Sequence, residues 1–180
     1  SVGAIFTSFL VIPIINWMAK ALGKKKAFII AQSISIIGYI LFWFLFVPGK
    51  PHLFIYALPF HSFGIGSLFT IMMSMTADIC DLDELNTGKR REGVLGAVYW
   101  WMVKFGFGIA ALLSGSILWL VGFDAEAVTE SAVTGMRIFY TALPIAGVIG
   151  AIWIMKDYDL TEERSREVSE QLKISRKTEK

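Results

Sequence analysis

The residues best placed to do chemistry in this 180-residue chain are a lysine, Lys104, deep inside an apolar run, and a knot of charge just before that run. Asp78, Asp81 and Glu84 recur at a spacing of three, which stacks carboxylates along one side of a helix end. After the turn residues Asn86, Thr87 and Gly88 come Lys89, Arg90, Arg91 and Glu92. Three acids at a helix C-terminus oppose the helix dipole and need cationic partners. Lys89, Arg90 and Arg91 can supply them locally; partners on another helical bundle would turn the cluster into a gate. A solvated hinge is the plain alternative.

Lys104 poses a sharper problem. About 15 Å of helix separates it from the start of its apolar span, which puts it near mid-membrane. Insertion scales set the cost of a charge there at roughly 2.5–3.5 kcal/mol, so such a group belongs by default to a substrate or ion pathway. That depth is at the limit of what a lysine can snorkel. All 15 acids lie elsewhere, in the 78–92 cluster, in one loop and in the C-terminal tail. Either Lys104 is neutral and buried, or its counter-charge sits on helices outside this sequence. The second reading is favoured because the sequence opens at Ser1 inside an apolar run, without a signal peptide's basic region or cleavage site. This is expected of a segment of a longer protein.

Trp100, four positions before Lys104, shares its helix face, and Tyr99 and Trp101 flank it. A ring beside a cavity can stack on the apolar face of a pyranose; packing against lipid is the alternative. His61 reads as a hydrogen-bonded packing residue, with a substrate or proton role as the alternative, and the single cysteine, Cys80, as a small apolar filler. No phosphate loop, metalloprotease motif or nucleophile elbow is present, and no metal site or cofactor is expected.

The elements that must position these residues are membrane helices. Apolar residues make up 55% and charged residues 18%, with a mean hydropathy of +0.60, values foreign to a soluble domain. Five runs, at 2–19, 27–47, 53–77, 94–121 and 133–155, approach or exceed the roughly 20 apolar residues a spanning helix needs. They lack the alternation of a barrel wall. The expected fold is an all-α, multi-pass bundle over 1–155, followed by a polar tail over 156–180.

Lys20, Lys24, Lys25 and Lys26 in the first connection, Lys89 to Arg91 in the third, and the basic tail place those segments on the cytoplasmic side by the positive-inside rule. The second connection should turn tightly at Pro48, Gly49 and Pro51, and the fourth is acidic through Asp124, Glu126 and Glu130. Small residues four apart, Gly106 with Ala110 and Gly147 with Ala151 among them, predict close helical neighbours for the last two spans. Pro13, Pro59 and Pro144 fall inside spans and can bend them. In the tail, Glu162 and Glu163 predict a short, solvated helix beginning at Thr161.

With these residues in place, the chain resembles the glycoside-pentoside-hexuronide:cation symporters of the major facilitator superfamily, of which the melibiose carrier is typical. The matching features are Ala77-Asp78-Ile79-Cys80-Asp81 with Glu84, then Gly88, Arg90 and Glu92, and the intramembrane Lys104. Gly135-Met136-Arg137 with Pro144, and Tyr158 to Glu162, extend the match along essentially the whole chain. The resemblance implies helices eight to twelve of a twelve-helix carrier in the bacterial inner membrane, moving a sugar or glycoside in symport with Na+ or H+. It implies that Lys104 lies at the cavity between two halves, and that Asp78, Asp81, Glu84, Arg90 and Glu92 help close the cytoplasmic side.

The family's tenth-helix aromatic near the sugar, a tryptophan in the melibiose carrier, falls on Phe69, and a threonine one turn before the lysine falls on Trp100. By this resemblance the cation site and most sugar contacts belong to N-terminal helices outside this sequence. Expected partners are therefore those helices, a sugar and membrane lipid, without nucleic acid. Two rivals stand beside this reading. One is a lipid carrier or non-transporting sensor of the same fold. The other is a lipid transferase holding magnesium on Asp78, Asp81 and Glu84 and a diphosphate on Lys89, Arg90 and Arg91, which leaves Lys104 without a task.

Overall fold

The computed structural model describes residues 2–47, 49–50, 52–124 and 129–178, with side chains over the same ranges apart from 2–6, 8–9 and 176–178. Pro48, Pro51 and Glu126 lie outside the described residues.

Among the described residues the chain is helical without strands, as a chain in hydrocarbon must be if its backbone groups are to bond within their own segment. The helices are α1 (Val2–Leu22), α2 (Lys24–Leu45), α3 (Leu58–Thr87), α4 (Glu92–Leu120), α5 (Glu130–Met155) and α6 (Glu162–Thr178). Four segments, Lys24–Leu45, Leu53–Thr87, Glu92–Leu120 and Glu130–Met155, are long and apolar enough to cross a membrane; α1 adds a fifth, 21-residue apolar helix.

The third span departs from the expected 53–77. It opens with a 3-10 turn at Leu53–Ala57, and α3 then runs ten residues past Ala77 into the charged cluster. Pro59 therefore causes no kink. It stands in the first turn of α3, where its missing N–H has no helical partner to lose. Pro13 and Pro144 do fall inside α1 and α5.

The core lies where α1, α2 and α3 meet the end of α5: Val11, Ile15 and Met18 pack with Phe28, Ile71, Met75 and Met155. α2 and α3 approach closely because small residues line their contact. A Cβ on Gly38 would stand 2.7 Å from the backbone nitrogen of His61, and one on Gly64 would stand 2.7 Å from Cβ of Ser35. At the same seam the buried Gln32 side chain donates to the Gly64 carbonyl (3.2 Å) and to Ser67 Oγ (3.1 Å). Close packing in this chain thus sits between α2 and α3. The glycines of the small-residue rows of α4 and α5 face open space, since Gly106, Gly108, Gly115, Gly147 and Gly150 have nothing within 4 Å of an added Cβ, although Ala151 of the α5 row packs against the core.

α2 and α5 run antiparallel, and each supplies a cation to the other's C-terminal carbonyls. Lys25 Nζ donates to the carbonyls of Lys156 (2.7 Å) and Tyr158 (2.8 Å). At the opposite end Arg137 Nε and Nη2 donate to the Phe46 carbonyl, with Nε at 3.0 Å. Cations at helix C-termini satisfy carbonyls that have no helical partner and oppose the negative dipole end.

The tail is more than a solvated strand of polar residues. Thr161 Oγ1 accepts from Arg164 N (3.2 Å) and starts α6 one residue ahead of Glu162, as expected, but α6 packs on α3 and buries Val168 and Leu172.

Candidate functional site

α4 differs from the other long helices in having no buried residue. Near its middle, Lys104 lines an open groove of about 450 Å³ with Trp101, Phe105, Gly108, Ile109 and Leu112. Trp101 and Phe105 stack nearly parallel, their centroids 5.2 Å apart and their planes 7° from each other. On its other side Trp101 borders a second, shallow and open groove that reaches back to Gly93 along α4. Lys104 makes no ion pair or hydrogen bond among the described residues.

The structure divides the aromatic residues between two places. The tryptophan in the groove with Lys104 is Trp101, three positions before it, and not Trp100. Trp100 meets Tyr99 edge to face at 5.5 Å, and the Tyr99 hydroxyl donates to the Leu68 carbonyl at 3.4 Å. This pins that side of α4 to α3 beside Phe69, which is half-exposed. Tyr99, Trp100 and Phe69 thus gather along the α3–α4 border, and Trp101 and Phe105 flank the lysine.

The charged cluster forms at the junction of α3 and α4. Gly88 ends α3 in the left-handed region, at φ 66°, with its N–H on the Glu84 carbonyl at 2.8 Å. The short link to α4 folds Arg91 back onto Asp83, which it grips with Nε at 2.8 Å and also with Nη2. Arg90 holds Glu92 through Nε (2.9 Å) and Nη2 (2.7 Å) and comes within 3.9 Å of Glu84. Both arginines are more than half exposed, although Asp83 and Glu84 are themselves less than one-fifth exposed, and a pair with an exposed partner stabilises little.

Asp78 behaves differently. Its partner is Lys24, the first residue of α2, at 2.5 Å, with both side chains four-fifths buried or more. Asp81 makes no ion pair among the described residues.

Lys24, Lys25, Asp78 and Tyr158 share a cavity of about 280 Å³. Burial, reinforced by the charges of Asp78 and Glu162, pushes the Tyr158 phenol up to about 12, so it stays neutral through the physiological range. The first connection, the 78–92 cluster and the start of the tail therefore meet at one end of the bundle, the same three segments that carry the basic residues. Among the described residues no group of three or more His, Cys, Asp or Glu is arranged to hold a metal ion.

The pairs Lys24 with Asp78 and Arg91 with Asp83, and the place of Trp101, were not singled out from spacing. The first joins residues 54 positions apart and has no local signature. The second was legible in principle, since a glycine turn between an acid and an arginine invites a fold-back. His61 packs edge-on to Tyr39 (5.4 Å) and Phe42 (5.7 Å), but its ring makes no hydrogen bond among the described residues, unlike the hydrogen-bonded role expected of it.

Comparison with known proteins gives a consistent picture. The family model described as MFS/sugar transport protein matches residues 2–162. A glucuronide carrier protein homolog of Escherichia coli (strain K12) is 30% identical over 157 residues, covering 87% of this chain and 34% of the relative. An isoprimeverose transporter of Lactiplantibacillus pentosus is 27% identical over 150 residues, 81% of this chain and 30% of the relative. A putative glycoside/cation symporter of E. coli K12 is 27% identical over 100 residues, 54% of this chain and 22% of the relative. The chain spans about a third of the length of the first two of these relatives.

Proposed function

Because the chain belongs to the MFS/sugar transport protein family, we propose that it forms part of a secondary carrier that moves a sugar or glycoside in symport with Na+ or H+ by alternating access. The observation that carries this reading is Lys104: an ammonium group on the uncovered face of α4, without a carboxylate of its own, in a groove walled by aromatic rings. A face bearing such a charge is costly to turn toward lipid tails. It faces a water-filled cavity or an anion on helices of the carrier outside this chain.

In this reading Lys104 balances charge in the cavity. Trp101 offers a ring for the apolar face of a sugar, and Tyr99, Trp100 and Phe69 form the adjoining wall. The cation site lies in the other helices of the carrier, and no covalent reaction takes place. Asp81, Glu84, Arg90 and Glu92, with Arg91 and Asp83, trade partners as the cytoplasmic side opens and closes. The Lys24–Asp78 pair stays closed and holds α3 to the start of α2. The concentration of basic residues at this end supports a cytoplasmic location for it and for α6 in a bacterial inner membrane.

Counterflow tests the reading against a non-transporting sensor or a lipid carrier of the same fold. The whole carrier, purified and reconstituted in vesicles loaded with unlabelled glycoside, should take up the labelled glycoside transiently above its equilibrium level. No overshoot with any of a panel of glucuronides, xylosides and galactosides would overturn the assignment.

A further inference from the structure

At the end of the bundle opposite the lysine-rich connection, α2 and α5 enclose a second cavity, of about 200 Å³, that the transport reading does not use. It is bounded by Phe42 of α2, by Phe46 just past its end, and by Met136, Arg137, Tyr140 and Thr141 of α5.

Two polar groups in it are unfinished. Arg137 uses two of its five N–H donors on the Phe46 carbonyl and has no carboxylate partner among the described residues. Its charge is therefore clamped in place without being neutralised. The Thr141 hydroxyl oxygen is buried and has no hydrogen-bond partner.

That vacancy is unusual for a helical hydroxyl. Ser33, Thr76 and Ser116 each donate to the carbonyl four residues back, at 2.8–2.9 Å, whereas Thr141, with the Arg137 carbonyl in the same relation, does not. A buried polar group left unbonded is costly, and a ligand oxygen in the cavity would relieve it. The rest of the lining is aromatic and apolar: Phe42 meets Tyr140 edge to face at 5.6 Å.

We propose that this cavity is a binding site for one anionic phospholipid. Its phosphate is held by the free N–H groups of Arg137, an ester or glycerol oxygen by the Thr141 hydroxyl, and its first acyl carbons by Phe42 and Tyr140. Depth supports the choice. Arg137 lies seven residues into α5, about 10 Å along the helix from its start, and faces the last turn of α2, where a spanning helix meets the headgroup layer. Basic pockets between membrane helices at that level take lipid head groups. Arginine matches phosphate with paired donors, and a soluble anion would leave the aromatic wall unused.

The test uses the whole carrier, stripped of lipid in detergent, given phosphatidylglycerol or phosphatidylcholine, and weighed by native mass spectrometry. One phosphatidylglycerol should stay bound, at least fivefold more than phosphatidylcholine, and millimolar inorganic phosphate should not displace it. Arg137→Gln should lower that retention at least fivefold. Because that change also loosens the clamp on Phe46, Thr141→Val, which keeps the clamp and the side-chain shape, should lower it as well. Equal retention of the two lipids, displacement by inorganic phosphate, or undiminished retention in Thr141→Val would each overturn the proposal.

Discussion

Lys104→Ala in the whole carrier abolishes concentrative sugar uptake and leaves the protein in the membrane at its normal level. The expected separation of function from folding comes from the placement of the side chain. α4 buries nothing, and the lysine touches no described carboxylate or carbonyl, so nothing in this chain's packing depends on it. Function is a different matter. If the ammonium answers an anion across the cavity, its removal leaves that anion unpaired, at a cost of roughly 2–5 kcal/mol, or about 30-fold or more in the affected equilibrium. Lys104→Arg keeps the charge on a bulkier, planar group and should retain a fraction of the activity. Accumulation by Lys104→Ala equal to that of the unaltered carrier would remove the lysine from the mechanism.

The second large effect is on stability. Lys24 and Asp78 form a partly buried pair joining the start of α2 to α3, and each is at most one-fifth exposed. Neutralising either one leaves the other without a partner. A charge-assisted hydrogen bond is worth about 1.5–3 kcal/mol, so Lys24→Gln and Asp78→Asn should each lower the unfolding free energy by about that amount. The double variant Lys24→Gln with Asp78→Asn should cost clearly less than the sum, because the penalty of the lone charge disappears. Thermal unfolding of the purified carrier measures this. Strict additivity of the two single effects would mean the side chains do not interact.

Much of the architecture is legible in the sequence because hydrocarbon leaves few choices. Runs of about 20 apolar residues become helices. Gly88 and the charges around it end one helix and begin the next, and Lys104 falls near the middle of α4.

What spacing does not reveal is whatever depends on one helix meeting another. Trp100 and Trp101 both lie within one turn of Lys104, and it takes the structure to show that Tyr99, edge to face with Trp100, reaches across to α3 while Trp101 borders the groove. Lys24 was one of several lysines in a basic connection until α3 brought Asp78 beside it. Small-residue rows mark a helix as able to pack closely but do not name its partner, and here the close contact falls at Gly38 and Gly64. The tail carries an apolar pair four residues apart, Val168 and Leu172, a spacing that fits one helix face, yet its high charge outweighed that signal.

The central claim is that the groove beside Lys104 borders a water-filled route for sugar. Gly108 lines it, and a side chain added there meets nothing within 4 Å, so Gly108→Cys introduces a thiol while keeping Lys104 intact. Cys80, the only native cysteine of this chain, is buried and can be replaced by alanine to silence it. In a carrier otherwise free of cysteine, the thiol at position 108 should react with a charged, membrane-impermeant thiol reagent, and the transported sugar should slow that reaction severalfold. A thiol that reacts only with lipid-soluble reagents, at a rate indifferent to sugar, would show that this face of α4 looks into the membrane and would contradict the account.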